Sequence, residues 1–150
     1  MLKLFLLIAI LGGCLGFILD YSVRKMDECK TFLDKIKNLK QLLNIPVYAT
    51  GMSLVYLVTL IPIFDKLSFI VLFCLIGGII CTAVEFAFGY LYNIVLKLNV
   101  WDYSHSVIEI GGKEIPLNVM GQIDLVHAIL WALISIPIYY IVNILEWVMK

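Results

Sequence analysis

Three ionisable residues, Glu85, Asp124 and His127, stand where chemistry would be conspicuous. Glu85 lies inside the apolar run Ile79 to Leu91. Insertion scales charge about 2.5–3.5 kcal/mol for an acidic residue such as Asp at the centre of a membrane-crossing helix, so this carboxylate calls for a partner. At 100° per residue, Gly78, Cys81, Thr82, Gly89 and Tyr92 share its side of a helix, a small and polar stripe suited to meeting protein rather than lipid. Asp124, His127, Trp131 and Ser135 follow at spacings of three, four and four, again on one helical face. If the two stripes meet, Glu85, Asp124 and His127 form one intramembrane or interfacial site, able to bind a cation, relay a proton or contact a lipid headgroup. Carboxylates with one imidazole also form a hard-to-borderline donor set, but no tight ligand spacing marks a metal, whose identity stays unknown. Plainer roles stand beside these. Glu85 could hydrogen-bond to Trp101, Tyr103 or backbone donors and fix a loop, and His127 could be a packing residue. Asp124, following Gly121 at a helix start, could cap free backbone N–H groups at the positive end of the dipole.

The elements that position these residues follow from composition. The 150 residues are 63% hydrophobic and 15% charged, with a mean hydropathy of +1.03, whereas soluble domains are about half apolar and about a quarter charged. The runs Leu4 to Leu19, Ile45 to Phe64, Leu67 to Val84 and Leu125 to Ile144 exceed what one small core can hold. Each is close to the roughly 17–25 residues that cross a hydrocarbon core. The expectation is an all-α membrane protein, a bundle of four transmembrane helices spanning about 4–19, 45–64, 67–94 and 124–147, as one integral membrane domain over 1–150. With 11 basic and 11 acidic residues there is no electrostatic footprint for nucleic acid.

Gly12 and Gly16 form a small-xxx-small pattern that lets a second helix approach. Leu11, Gly12, Gly13 and Cys14 resemble a lipoprotein cleavage box, but the apolar run continues to Leu19, which favours an uncleaved helix. Cys14, Cys74 and Cys81 lie in apolar runs and Cys29 in a charged loop, so a disulfide framework is not expected. Between Asp20 and Asn44 charges alternate with Phe32, Leu33, Ile36, Leu39, Leu42 and Leu43 at three-to-four spacing, the pattern of an amphipathic surface helix or a solvated linker helix. Val107 to Ile110 and Lys113 to Ile115 flank Gly111-Gly112, which predicts a small hairpin inserted between the last two spans. Pro137 predicts a kink in the last helix. Trp101, Tyr103, Tyr48, Tyr90 and Tyr92 suit the headgroup layer.

Basic residues concentrate in the first and third loops, so both are placed in the cytoplasm and both termini outside a plasma membrane. The phosphate-loop, Gly-x-Ser-x-Gly and His-Glu-x-x-His signatures do not occur in the chain. The reading therefore leans away from an enzyme, assigns no catalytic residue and expects no cofactor.

At Trp101-Asp102-Tyr103-Ser104 the chain carries a rare tetrapeptide. With Glu85 upstream and Asn118, Gly121, Ile123 and Trp131 downstream, it resembles the CmpB-like family described as Putative ABC-transporter type IV. Gly16-Phe17-Ile18-Leu19-Asp20 is similar to that family's Gly-Trp-x-x-Glu segment, and Ile45-Pro46-Val47-Tyr48 with Gly51 to its Pro-Ile-Tyr-x-x-Gly segment. The likeness is strong from about Gly78 to Trp131 and looser before. Departures are specific: His105 to Leu117 separates the Ser and Asn that the family keeps close, Asp124 stands where it has Cys, and His127 matches no family motif. The resemblance implies a permease-like membrane component, and the reading of the residues places a polar site near the cytoplasmic end of the last two spans. That site comprises Glu85, Trp101, Asp102, Tyr103, Ser104, Asn118, Gly121, Asp124 and His127. Four helices make too little wall for a substrate path, so transport would need a homo-oligomer or a partner carrying the ATPase. The alternatives are a lipid-headgroup-binding protein or enzyme in contact with membrane lipid, and a structural or regulatory membrane protein.

Overall fold

The computed structural model describes residues 2–23, 40–65 and 67–148, and the chain is mostly helical. Its helices are α1 (Leu2–Val23), α2 (Asn44–Thr59), α3 (Ile70–Gly89) and α4 (Leu125–Val148). They match the four apolar runs, with shifted ends. Helix α1 continues through Asp20 to Val23, residues expected to open a loop, whereas α2 stops at Thr59 and single turns at Pro62–Asp65 and Leu67–Phe69 finish the connection. Of the amphipathic segment predicted over Asp20 to Asn44, only its two ends are described, the second being a 3-10 turn at Lys40–Leu43; the rest, with Cys29, lies outside the described residues. Helix α4 runs unbroken past Pro137, which sits on its exposed side.

The fold is not purely helical. Strands β1 (Val107–Ile110) and β2 (Lys113–Pro116) form the predicted hairpin, with Ile108 opposite Ile115. Gly111 and Gly112 both take positive φ, 60° and 76°, as the favoured two-residue hairpin turn requires. A second ribbon, β3 (Asn118–Val119) with β4 (Ile123–Asp124), had no signature, being two residues per strand.

Helix α1 packs on α2, α2 on α3, and α3 on α4. Ile8, Val55, Tyr56, Phe73 and Val142 are fully buried at the centre. Phe73 stands edge-on to Phe64 and Tyr139, and the Tyr139 hydroxyl donates to the Phe64 carbonyl at 2.9 Å, tying α4 to the turn after α2. The outward surface is aliphatic: Leu72, Leu75, Ile79, Ile129, Leu133 and Ile144 are exposed, Ile79 to 69%. Among the described residues, two helical stretches are long and apolar enough to cross a membrane, Ile70–Val95 and Leu125–Val148; Leu2–Ile18 is apolar but shorter.

Candidate functional site

Helices α3 and α4 meet at backbone distance because α3 presents glycine there. A Cβ on Gly78 would lie 2.8 Å from the Ala132 Cβ and 3.0 Å from its Cα, and Gly77 faces the Ser135 hydroxyl. That approach brings Trp131 against Glu85, and the two polar stripes read from the sequence do face each other. The Trp131 Nε1–H donates to Glu85 Oε2 at 2.6 Å, and the Tyr103 hydroxyl donates to Oε1 at 2.9 Å. Glu85 is 7% exposed, with a donor on each oxygen. Of the donors anticipated for it, Tyr103 takes the role; Trp101 instead donates to the Gln122 carbonyl at 2.8 Å. The Tyr48 ring lies 4.9 Å from that of Trp131. Asn44, Tyr48, Glu85, Trp101, Tyr103 and Trp131 line a cavity of about 40 Å³. Since about 10–15 Å³ admits one water, it can hold a few waters and no organic substrate.

Beyond Gly89 the helix widens into one π-helical turn, Tyr90–Val95, closed by Leu96 N–H donating to the Leu91 carbonyl at 2.9 Å. The turn directs both Tyr92 and Asn93 inward. Tyr92 and Trp101 are therefore buried in a second small core with Val47 and Val100, while Tyr90 stays exposed. The Asn93 amide donates to the Trp101 carbonyl at 2.9 Å and to Gln122 Oε1 at 2.8 Å, and its oxygen accepts from Val100 N–H at 2.6 Å. Asn93 and Gln122 were not anticipated; a polar residue two turns after Glu85 on a similar face was the available signal for Asn93.

The Trp101 to Ser104 motif clasps the Asn118 to Gln122 segment. Tyr103 N–H donates to the Gly121 carbonyl at 2.9 Å, Asn118 Nδ2 donates to the Ser104 carbonyl at 3.3 Å, and Gly121 N–H donates to Asn118 Oδ1 at 3.0 Å. Gly121 has φ of 69°, and a Cβ there would lie 2.9 Å from Asp102 Oδ1, so glycine is favoured there. Asp102 itself is exposed and accepts from Ser104 N–H at 2.8 Å; that bond, with the Ser104 hydroxyl, holds its carboxyl below the usual aspartate range. Leu117 N–H donates to the Ser106 carbonyl at 2.9 Å, closing the base of the hairpin. The inserted residues thus leave Ser104 and Asn118 as neighbours.

Asp124 caps α4. Its Oδ1 accepts from His127 N–H at 2.8 Å and lies 2.7 Å from His127 Nδ1. Burial to 7% exposure pushes its carboxyl up, but the hydrogen bonds from His127, with one from Ser106, outweigh it and leave the group below its ordinary range. The His127 side chain is 40% exposed, and its ring stacks on Tyr103 at 4.4 Å between centroids. Tyr103 therefore joins the two halves, with its hydroxyl on Glu85 and its ring on His127. Burial, reinforced by the Glu85 carboxylate, pushes the Tyr103 phenol up, so it remains a donor at any physiological pH.

Glu85, Trp101, Tyr103, Asp124 and His127 are thus gathered at one end of the α3–α4 pair, and Asp102, Ser104, Asn118 and Gly121 form the clasp beside them. Among the described residues, no three His, Cys, Asp or Glu converge in a way that could hold a metal ion. No curated protein and no solved structure matches the chain. The model of one family, described as Putative ABC-transporter type IV, matches residues 4–150. With Glu85, the Trp101 to Ser104 clasp and Trp131 all inside that match, the chain belongs to this family.

Proposed function

We propose that the chain is a multi-pass plasma-membrane protein, a transport-associated, permease-like component whose last two spans are locked near their cytoplasmic ends by Glu85. The observation that carries this reading is the sidedness of α3 and α4. Their facing sides hold Glu85, Ser135 and glycines, and their outer sides hold Ile79, Leu133 and Ile144. A buried carboxylate between two spans, with aliphatic residues outward, is the arrangement that suits lipid outside and polar partners inside. Helices α1 and α2 extend the reading to four spans. The 16 residues of α2 rise about 24 Å at 1.5 Å per residue, and the turn at Pro62–Asp65 lengthens the crossing. The distribution of basic residues favours both termini outside. Because the Glu85 cavity admits only water, the transported species passes along a path built with further copies or with a partner that carries the ATPase.

A lipid-headgroup-binding role is the second reading, favoured by the half-exposed His127 beside Asp124 and Tyr103. Native mass spectrometry of the chain, extracted in mild detergent from cells making it at natural levels, separates the two. Co-purification of an ATPase subunit supports the permease reading. Recovery of the chain alone with a lipid that Glu85→Gln loses replaces it with the second.

A further inference from the structure

The β1–β2 hairpin carries an asymmetry that the clasp does not use. Cross-strand partners share a face, so the register places Ile108, Ile110, Lys113 and Ile115 on one side and Val107, Glu109, Glu114 and Pro116 on the other. One face is thus aliphatic with a lysine at its tip. The other pairs Glu109 directly with Glu114, like charges that repel unless both reach water. Every residue of both strands is exposed, Ile110 to 59%. An isolated two-stranded hairpin is marginal in water and needs something against its apolar face.

We infer that the Ile108–Ile110–Ile115 face lies on the headgroup layer of the protein's own membrane, with Lys113 against anionic lipid phosphates and Glu109 and Glu114 toward the aqueous side. This rests on the membrane reading above. Charge complementarity supports it: the lysine and the carboxylates are segregated to opposite faces, as in an amphipathic element lying in the interface. Continuity supports it too. In the β3–β4 ribbon that follows the hairpin, Val119 and Met120 are exposed, and Val119 and Ile123 share an apolar groove of about 530 Å³ with Leu75, Ile79 and Ile129 on the outer surface of α3 and α4. The aliphatic surface of the helices therefore reaches the β3–β4 ribbon, which follows the hairpin in the chain.

The test uses variants that each add one cysteine to the four native ones, Ile108→Cys and Ile115→Cys on one face, Val107→Cys and Glu114→Cys on the other, and Ile79→Cys on α3. Each is placed at one chain per nanodisc of phosphatidylcholine with a quarter phosphatidylglycerol, and peptide-level mass spectrometry follows labelling by a charged, water-soluble maleimide. The inference expects thiols at 108 and 115 to react about tenfold more slowly than those at 107 and 114. It also expects Lys113→Glu to reduce that protection. Slow reaction at 79 with equal rates on the two hairpin faces overturns the inference and leaves the membrane reading standing. Fast reaction at 79 overturns both. Protection at 108 and 115 that arises only with two chains per disc overturns it in favour of contact between copies.

Discussion

Helices α1 and α2 approach closely over glycine. A Cβ on Gly12 would meet the Met52 side chain at 2.9 Å and the Tyr48 carbonyl at 3.0 Å, and Gly16 lies directly under the Tyr48 ring. Helices α3 and α4 start the same way, over Gly77 and Gly78, then add the Glu85 clamp and the loop clasp. Lipid tails are as apolar as leucine, so helices in a bilayer associate through close backbone packing and interhelical hydrogen bonds. Close packing over glycine is common to both pairs, and Glu85 adds side-chain hydrogen bonds to the second. Packing alone leaves two helices free to slide by small steps, whereas a hydrogen bond from Trp131 to Glu85 fixes rotation and register together.

Removing the clamp is the sharpest way to break that contrast. Glu85→Leu strands the Tyr103 hydroxyl and the Trp131 N–H, and each buried, unsatisfied donor costs about 1–3 kcal/mol. The expected loss is about 2–4 kcal/mol in thermal unfolding in detergent, with Glu85→Gln intermediate because it still accepts one bond. An unchanged melting temperature in Glu85→Leu would mean that packing holds α3 and α4 as it holds α1 and α2. Next in size, Gly78→Ala meets the Ala132 backbone and should cost about 1–3 kcal/mol, as overpacking does. Gly51→Ala, whose nearest neighbour is the Cys81 Sγ at 3.3 Å, should cost less than about 1 kcal/mol. Equal losses would erase the distinction between backbone and side-chain contact.

Asp124→Ala should cost about 1 kcal/mol as a lost cap. Its wild-type carboxyl lies below the ordinary aspartate range, so the stabilisation is full above that range and fades as pH falls through the lowered value. The variant should therefore show a flatter acid limb in melting temperature against pH. The smallest effect belongs to the hairpin: replacing Val107 to Pro116 by Gly-Gly should leave the melting temperature in detergent within about 2 °C, because the Leu117 to Ser106 bond already closes the clasp. A large drop would assign the hairpin a share in holding α3 and α4.

Much of this was legible along the chain. The stripe through Gly78, Cys81, Glu85, Gly89 and Tyr92 and the stripe through Asp124, Trp131 and Ser135 are buried, with Thr82 and His127 on the same sides only partly so, since helical periodicity alone determines which residues share a side. The hairpin was legible because Gly111-Gly112 dictates its turn locally. Trp131 as the donor to Glu85 was not, because 46 residues separate them and only the rotation of α4 about its axis decides whether an indole or a hydroxyl faces the carboxylate. Asn93 and Gln122 were missed for a similar reason. Their bond spans 29 residues and depends on a π-helical turn whose extra residue no apolar pattern records.

By itself the amino-acid sequence determined four apolar helices, the placing of a carboxylate in one of them, the hairpin and the clasp motif, because each depends on composition or on spacing within a few turns. The cap at Asp124 is local and was among the roles its place at a helix start offered, whereas the tertiary structure decided which donors Glu85 receives and that Trp101 turns to Gln122 instead. Those choices rest on how closely glycine lets two helices approach, a distance set by both partners at once and written in neither segment alone.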